Sequence, residues 1–318
     1  MSIMNTADNP APKRNVKALS SPLSQLISNV IENDLKEQPR NIAPILGGDE
    51  SKTFSVTTDR SVRIVKLQPE NDYRRFSKEQ WCLEQSSRAG IPGPTVLSVG
   101  KRAGMAYIIL TLIPGTIPKN SEGEKERIWK HLGAYARRFH AIPVKGFGHN
   151  TNKPGVFEDS SWLRFLDDNI RSLTGTDKLI QLNVLNVKQS VSVRQKFEEL
   201  RKISFTFGLC HGDLSLLNVL VGENGTVYLY DWGQAEANIV PYFDLIGILE
   251  NHPKMADPEL DLFLQGYGVD RATLAHLDVL WLLKRIDKLR WAIDKSPKDI
   301  KEFSSLVQIR LRLMGMNS

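Results

Sequence analysis

Cysteine is nearly absent from this chain: Cys82 and Cys210 are the only two among 318 residues. Neither stands in a metal-type spacing, which excludes a zinc ribbon or a disulfide-stapled scaffold and predicts reduced thiols in a cytoplasmic protein. Cys210 is expected to be a small buried core residue. Long apolar runs are missing too. No window holds the roughly 18 consecutive apolar residues that a membrane helix needs, so no membrane partner is expected. The opening stretch, MSIMNTADNPAPKRNVKALSS, carries no apolar h-region, and no secretory signal is expected from it. The net charge is +6, yet Lys and Arg are scattered and no cluster interleaves them with aromatics in a recognised motif, which argues against a nucleic-acid partner. No internal repeat or low-complexity tract interrupts the body. What remains is an ordinary globular composition, 41% hydrophobic and 25% charged, in a chain long enough for one large core or two lobes.

The informative stretch is residues 211–244, HGDLSLLNVLVGENGTVYLYDWGQAEANIVPYFD. Asp213 is followed five residues later by Asn218, then by a hairpin pattern, then by Asp231. Asn224-Gly225 is the dipeptide of two-residue hairpin turns with both residues at positive φ. With that turn Asn218 pairs with Asp231, and directly opposite residues project from one face. Two oxygen donors are thereby aimed together, with Asp213 in the loop just upstream. One base and two such ligands suit a Mg²⁺-phosphate centre, because Mg²⁺ takes one or two protein oxygens and fills its shell with phosphate and water.

His211-Gly-Asp213, Asn218 and Asp231-Trp232 resemble the aminoglycoside phosphotransferase and choline kinase group, which shares the protein-kinase fold. The resemblance spans roughly residues 42–300. It implies an α+β, two-lobed protein-kinase-like fold, with a small N-lobe of antiparallel sheet plus a helix and a larger, mainly helical C-lobe. It implies that Asp213 orients the acceptor hydroxyl and takes its proton, and that Asn218 and Asp231 bind Mg²⁺ on ATP (or GTP). Phosphoryl transfer asks little covalent help of a protein and much positioning and charge neutralisation. Part of the +6 charge would attract the nucleotide.

Along the chain, residues 1–20 read as a disordered tail, residues 21–112 as the N-terminal lobe and residues 113–318 as the C-terminal lobe. Ser21 and Pro22 open a helix with an apolar stripe of Leu23, Leu26, Ile27, Val30 and Ile31. Strands follow over residues 42–67. Gly47-Gly48 forms a turn whose backbone N–H groups could approach phosphates, although it is neither a P-loop nor a G-x-G-x-x-G fingerprint. Val62, Ile64 and Lys66 share a strand face. The resemblance places Lys66 on the ATP phosphates, tethered by a helical glutamate. Ser77 and Gln80 read as a capping box, Gly90 as the helix C′ residue, and Glu79 as the tether, with Glu84 its rival. The strand ending at Gly115 resembles the hinge between lobes, with Leu110 as gatekeeper beside the base and Thr111, Leu112 and Ile113 along the adenine edge. Helices are expected over residues 124–141, 161–173 and 187–202, and from Ile246 onward.

Departures from a protein kinase narrow the acceptor. Only 12 residues lie between Asp231 and Asp244, leaving little room for a phosphorylation-gated loop, and Gly212 replaces the arginine that would read its phosphate. A small molecule therefore fits better than a protein, with no need for prior phosphorylation. Asp244 is expected to buttress the catalytic loop. Seven acids between Asp244 and Asp278 face only Lys254 and Arg271. Such a rim suits a polycation such as an aminoglycoside; the alternative is a solvated helix face. The leading expectation is an ATP-dependent O-phosphotransferase acting on an aminoglycoside-type antibiotic. The alternatives are a housekeeping kinase of an amino alcohol, sugar or amino acid, and a catalytically silent nucleotide-binding scaffold.

Overall fold

Alternating β-branched residues between Lys52 and Pro69 build the middle of a five-stranded sheet in the computed structural model, which describes residues 22–45, 51–118, 122–158, 161–252 and 257–316. Gly47, Gly48 and Ser21 lie outside the described residues. The chain divides into two compact units. One comprises Met1–Phe76 with Pro94–Leu112, the other Ser77–Gly93 with Ile113–Ser318.

The first unit carries the sheet, in the order β1-β2-β3-β5-β4, from strands β1 (Pro39–Ile45), β2 (Lys52–Thr58), β3 (Val62–Pro69), β4 (Val96–Arg102) and β5 (Met105–Thr111). Every neighbouring pair is antiparallel. Period-two alternation sorts β3 into two faces. Val65 and Leu67 pair with Ile109 and Tyr107 and bury themselves against Leu26, Ile27, Val30 and Ile31. Three of these belong to helix α1 (Pro22–Val30) and Ile31 to the turn after it. The other face carries Ile64 opposite Leu110 and Lys66 opposite Ile108. Polar contacts fix the turn that follows α1. Asp34 accepts from Ser98 Oγ and Tyr107 Oη, both at 2.6 Å, and buried Glu37 accepts from Thr58 Oγ1 at 2.8 Å and Arg63 Nε at 3.0 Å.

Helix α2 (Tyr73–Arg88) begins four residues before the expected cap at Ser77. A 3₁₀ turn over Glu70–Asp72 leads straight into it, and no Gly or Pro intervenes. Phe76, 1% exposed, extends the apolar stripe that continues through Leu83. Its end is the one expected. Gly90 has φ 72°, Ile91 N–H donates to Ser86 O and Gly90 N–H to Ser87 O, a Schellman termination.

The second unit is mainly helical. Helix α3 (Glu122–His140) buries Ile128, Leu132, Tyr135 and Phe139 at helical spacing. Three short strands follow, β6 (Lys145–Phe147), β7 (Thr151–Lys153) and β8 (Val156–Glu158). Helix α4 (Trp162–Ser172) is capped by Ser161, α5 (Lys178–Gln181) by Asp177, and α6 (Val187–Leu200) by an Asn186/Gln189 capping box. Strand β9 (Phe207–Cys210) leads into the loop at residues 211–218, β10 (Val219–Val221) and β11 (Val227–Leu229) form the hairpin after it, and β12 (Glu236–Ile239) pairs back on β9. Helices α7 (Tyr242–Asn251), α8 (Asp257–Tyr267), α9 (Leu277–Lys295) and α10 (Ile300–Leu313) complete the unit. Leu166, Phe197, Ile246, Leu283, Ile286 and Leu311 join α4, α6, α7, α9 and α10 in one core. Two glycines let α3 and α8 touch backbone to backbone. A Cβ on Gly133 would lie 2.0 Å from Phe263 O, and one on Gly266 equally close to Lys130 O. Among the described residues, no helix is long and apolar enough to cross a membrane.

Candidate active site

The hairpin register differs by one residue from the sequence expectation. Val221 pairs with Val227 and Val219 with Leu229, so Asn218 stands opposite Tyr230, whose N–H donates to Asn218 O at 3.1 Å. The loop has three residues, not two. Gly222 pairs with Thr226 (N–H to O, 2.9 Å), Gly225 N–H closes a turn on Gly222 O, and Gly225 takes φ 79°. This is a type I turn followed by a left-handed glycine, which uses Asn-Gly as readily as the two-residue turn does. Asp231 then lies one residue past the pair and is itself left-handed, at φ 63°, ψ 67°.

Asp213 is held from two sides. Asn218 Nδ2 donates to its Oδ2 and to its backbone O, both at 2.8 Å. Asn251 Nδ2, at the end of α7, donates to its Oδ1 at 3.1 Å. The amide nitrogen of Asn218 is thereby spent, and its Oδ1 makes no hydrogen bond among the described residues. The next residue, His252, accepts the Leu216 N–H at Nε2 (3.3 Å), a contact that requires a neutral imidazole. Burial lowers its pKa and favours that form.

Beneath the loop lies Asp244, 1% exposed. Its carboxylate accepts the backbone N–H of His211 and of Gly212, both at 2.9 Å, and His140 Nε2 at 3.0 Å. Tyr267 Oη, 3.0 Å from His140 Nδ1, fixes the other side of that ring. Burial alone would raise the Asp244 pKa. The His140 hydrogen bond, the fields of His140 and His211, and the His211 N–H outweigh it and hold the carboxyl below its ordinary value. His140, Cys210 and Asp244 cluster closely enough to suggest a metal. However, the Asp244 oxygens and both His140 nitrogens are already engaged, and burial pushes the Cys210 thiol well up, away from the thiolate a metal would need. Gly212, at φ 82°, passes so close to Gln234 that a Cβ would lie 2.0 Å from its carbonyl oxygen. His211 Nε2 donates to Tyr230 O at 3.0 Å, and buried Trp232 packs between His211 and Phe139.

The remaining candidates are distributed as follows. Lys66 and Leu110 share one face of the first unit's sheet. Thr111 spends its N–H on Thr95 O, Leu112 is 50% exposed, and Ile113 O accepts from Gly115 N–H. Glu79 belongs to the second unit and is buried, whereas its rival Glu84 is exposed and accepts from Gln80.

Five of the seven acids of the expected rim have partners within the fold, and the Asp257 side chain lies outside the described residues. Asp244 is buried under the loop. Glu250 is shared by Trp281 Nε1 (2.9 Å), Arg285 (3.2 Å) and Lys284 (3.4 Å). Asp261 pairs with Arg271, Asp270 caps the Thr273 N–H, and Asp278 pairs with Arg310. These acids serve the fold, and cations from α9 and α10 answer two of them.

Residues 41–277 match the phosphotransferase enzyme family. The chain belongs to it. This phosphotransferase is 25% identical over 219 residues to a probable ketoamine kinase of Staphylococcus aureus, covering 65% of this chain and 72% of that protein. Its fold is similar to that of the aminoglycoside phosphotransferase APH(4)-Ia (TM-score 0.67, 19% identity, 91% of this chain and 98% of that one). A thermostable mutant of APH(4)-Ia in ternary complex with AMP-PNP and hygromycin B is similar too (TM-score 0.64, 20% identity, 90% and 98% covered). The α+β two-lobed kinase-like fold is thereby established, and the chain is a small-molecule kinase.

Sequence reading missed Asn251 and His252. Both follow Glu250 at the end of a helix, and nothing local ties them to a loop 36 to 38 residues upstream. Two outcomes follow from their geometry and that of Asp244. Asp244→Asn puts an amide N–H against backbone donors and should cost about 3 kcal/mol at neutral pH, read by denaturant unfolding. Because the folded-state pKa of Asp244 is depressed, its stabilisation is full above the unfolded value near 3.8 and is lost as pH falls through the folded one. The gap between wild type and variant should therefore narrow below that pH. Asn251→Ala removes one donor from the Asp213 carboxylate and should lower kcat about tenfold with little change in nucleotide affinity, the size expected for one charge-assisted hydrogen bond.

Proposed function

We propose that this phosphotransferase moves the γ-phosphoryl group of ATP (or GTP) to a hydroxyl of a sugar-like metabolite of the ketoamine type. The observation that carries the reading is the Asp213 carboxylate, clamped by the Asn218 and Asn251 amides just before the hairpin that Asp231 follows. So held, it can accept a hydroxyl proton or orient the hydroxyl for in-line attack, because each oxygen keeps a lone pair. Asn218 serves two partners: its nitrogen fixes Asp213 and its oxygen is left for a cation. A neutral amide oxygen with the Asp231 carboxylate is a hard-oxygen donor set that fits Mg²⁺. When bound with the triphosphate, Mg²⁺ would neutralise the charge that develops on the phosphate oxygens. For Lys66 and Glu79 the assignment to the nucleotide rests on the family resemblance, as it does for Gly47, Gly48, Leu110, Thr111, Leu112 and Ile113.

Two observations favour a metabolite over a polycationic antibiotic. Five of the seven acids expected to receive an aminoglycoside, Asp244 among them, are engaged within the fold. The relative at 25% identity is named a probable ketoamine kinase. The antibiotic reading draws support from the fold shared with APH(4)-Ia. Nucleotide-release assays (ADP and GDP) over ketoamines, sugars, amino alcohols and aminoglycosides decide between them. Turnover confined to aminoglycosides, with raised resistance in expressing cells, would reverse the choice.

Two variants test the machinery. Asp213→Ala should abolish turnover, a loss of roughly 10²–10⁴-fold, while nucleotide still binds. Wild-type turnover would sink the assignment of Asp213. Asp231→Asn should weaken Mg²⁺-nucleotide affinity and rate together, and more than Asn218→Ala does, because a carboxylate is the stronger ligand. A Mg²⁺ titration of each variant reads the difference.

A further inference from the structure

Lys78, one residue before Glu79 on α2, is 2% exposed. Its Nζ donates to Ala235 O at 2.7 Å and to His149 O at 3.2 Å, and lies 3.2 Å from both ring nitrogens of His149. Burying an ammonium costs several kcal/mol unless its donors are used, so a lysine kept here indicates something worth holding. The Glu236 carboxylate next along the chain feels its charge. Burial raises that carboxyl, and Asn238, Lys284 and Lys78 work to bring it down.

The segment so gripped begins at Asp231. A left-handed conformation costs a non-glycine residue about 1–2 kcal/mol and persists only where its surroundings over-determine it. After Asp231 the chain makes a 3₁₀ turn, Trp232–Gln234, closed by Ala235 N–H on Trp232 O at 3.0 Å. Ala235 O goes to Lys78, so both backbone groups of Ala235 are fixed. Two residues on, Ala237 exchanges hydrogen bonds with Gly148 in both directions, at 2.8 and 3.0 Å. Lys78 therefore closes the open end of a short bridge between the 148–149 segment and the turn that Asp231 starts.

We propose that Lys78 is a positioning residue for Asp231: its ammonium fastens the turn from Asp231 to Ala235 onto α2 and so fixes where the Asp231 carboxylate points. This rests on the reading of Asp231 as the Mg²⁺ ligand. One helix then has two tasks, because adjacent residues on a helix point about 100° apart. Lys78 sets the metal turn, and Glu79 is the residue that the resemblance assigns to Lys66.

The full chain and its Lys78→Met and Lys78→Arg variants test this through Mg²⁺-dependent binding of a fluorescent ATP analogue and through hydrogen exchange of residues 232–237 without metal. Lys78→Met should raise the Mg²⁺ midpoint about tenfold and speed exchange in that segment, while metal-free affinity for the analogue stays at the wild-type value. Lys78→Arg, which keeps a cation and several donors, should recover part of both. A Lys78→Met protein with the wild-type Mg²⁺ midpoint and exchange overturns the inference. Wild-type protein that binds the analogue with no Mg²⁺ dependence overturns the metal reading of Asp231, and the inference with it. Lys78→Gln, which keeps one amide donor, gives the same comparison should Lys78→Met fail to fold.

Discussion

One buried carboxylate sets the geometry of the loop that carries Asp213. Asp244 takes the N–H of two consecutive residues, His211 and Gly212, and a third donor from His140. Two adjacent backbone N–H groups point at one carboxylate only if the chain turns sharply between them. Gly212 makes that turn possible at φ 82° with the Gln234 carbonyl pressed against it. The residue after the turn is Asp213, whose direction is fixed before its own side chain makes any contact. A buried acid of this kind stabilises little in sum, since desolvation opposes its hydrogen bonds. What it supplies is a single geometry.

The same helix that carries Asp244 also holds the loop's far side. Helix α7 is ten residues long, about 15 Å at 1.5 Å per residue. Asp244 in its first turn holds the loop entrance, while Asn251 at its last residue and His252 just after it hold Asp213 and Leu216. Leu245, Ile246 and Ile248 bury its other faces in the second unit. The spacing between loop entrance and the Asp213 carboxylate is therefore set by a rigid rod packed in an apolar core, and positional error in the loop is limited by core packing.

How far the sequence reveals this depends on the range of each interaction. Local patterns are legible: α3 from Ile128, Leu132, Tyr135 and Phe139, the α2 stop from Gly90, and the two faces of β3 from Val65 and Leu67 against Ile64 and Lys66. The hairpin was half legible. Asn224-Gly225 marks the turn, but the same dipeptide serves two-residue and three-residue loops, and one residue of difference moves Asn218 from Asp231 to Tyr230. Contacts from elsewhere hold the observed register, with Leu229 N–H on Pro92 O and Val221 bridged to Thr116. Lys78 was illegible altogether. In sequence it is one more cation in the first half of an amphipathic helix, and its partner Ala235 lies 157 residues away. The acidic rim was partly legible for a related reason. A count of acids reports charge but not partners, and Glu250, Asp261 and Asp278 all have cationic ones.

The identity of residue 218 shows how closely the chemistry constrains the loop. Its side chain sits 2.8 Å from the Asp213 carboxylate, a distance at which a second carboxylate could not share the ionised state. If residue 218 ligates Mg²⁺ as proposed, an aspartate there would be the stronger ligand, yet it would force a proton onto one of the two acids and disable Asp213 as the proposed base. A leucine would leave Asp213 with Asn251 as its remaining amide donor and would remove the proposed cation ligand. Only a side chain that donates at one atom and accepts at the other satisfies both, and an amide is the one of this length that does. On the proposed assignment, Asn218 would link the acceptor side of the reaction to the metal side within a single functional group. On the same assignment the left-handed Asp231 would supply the charge that Asn218 cannot.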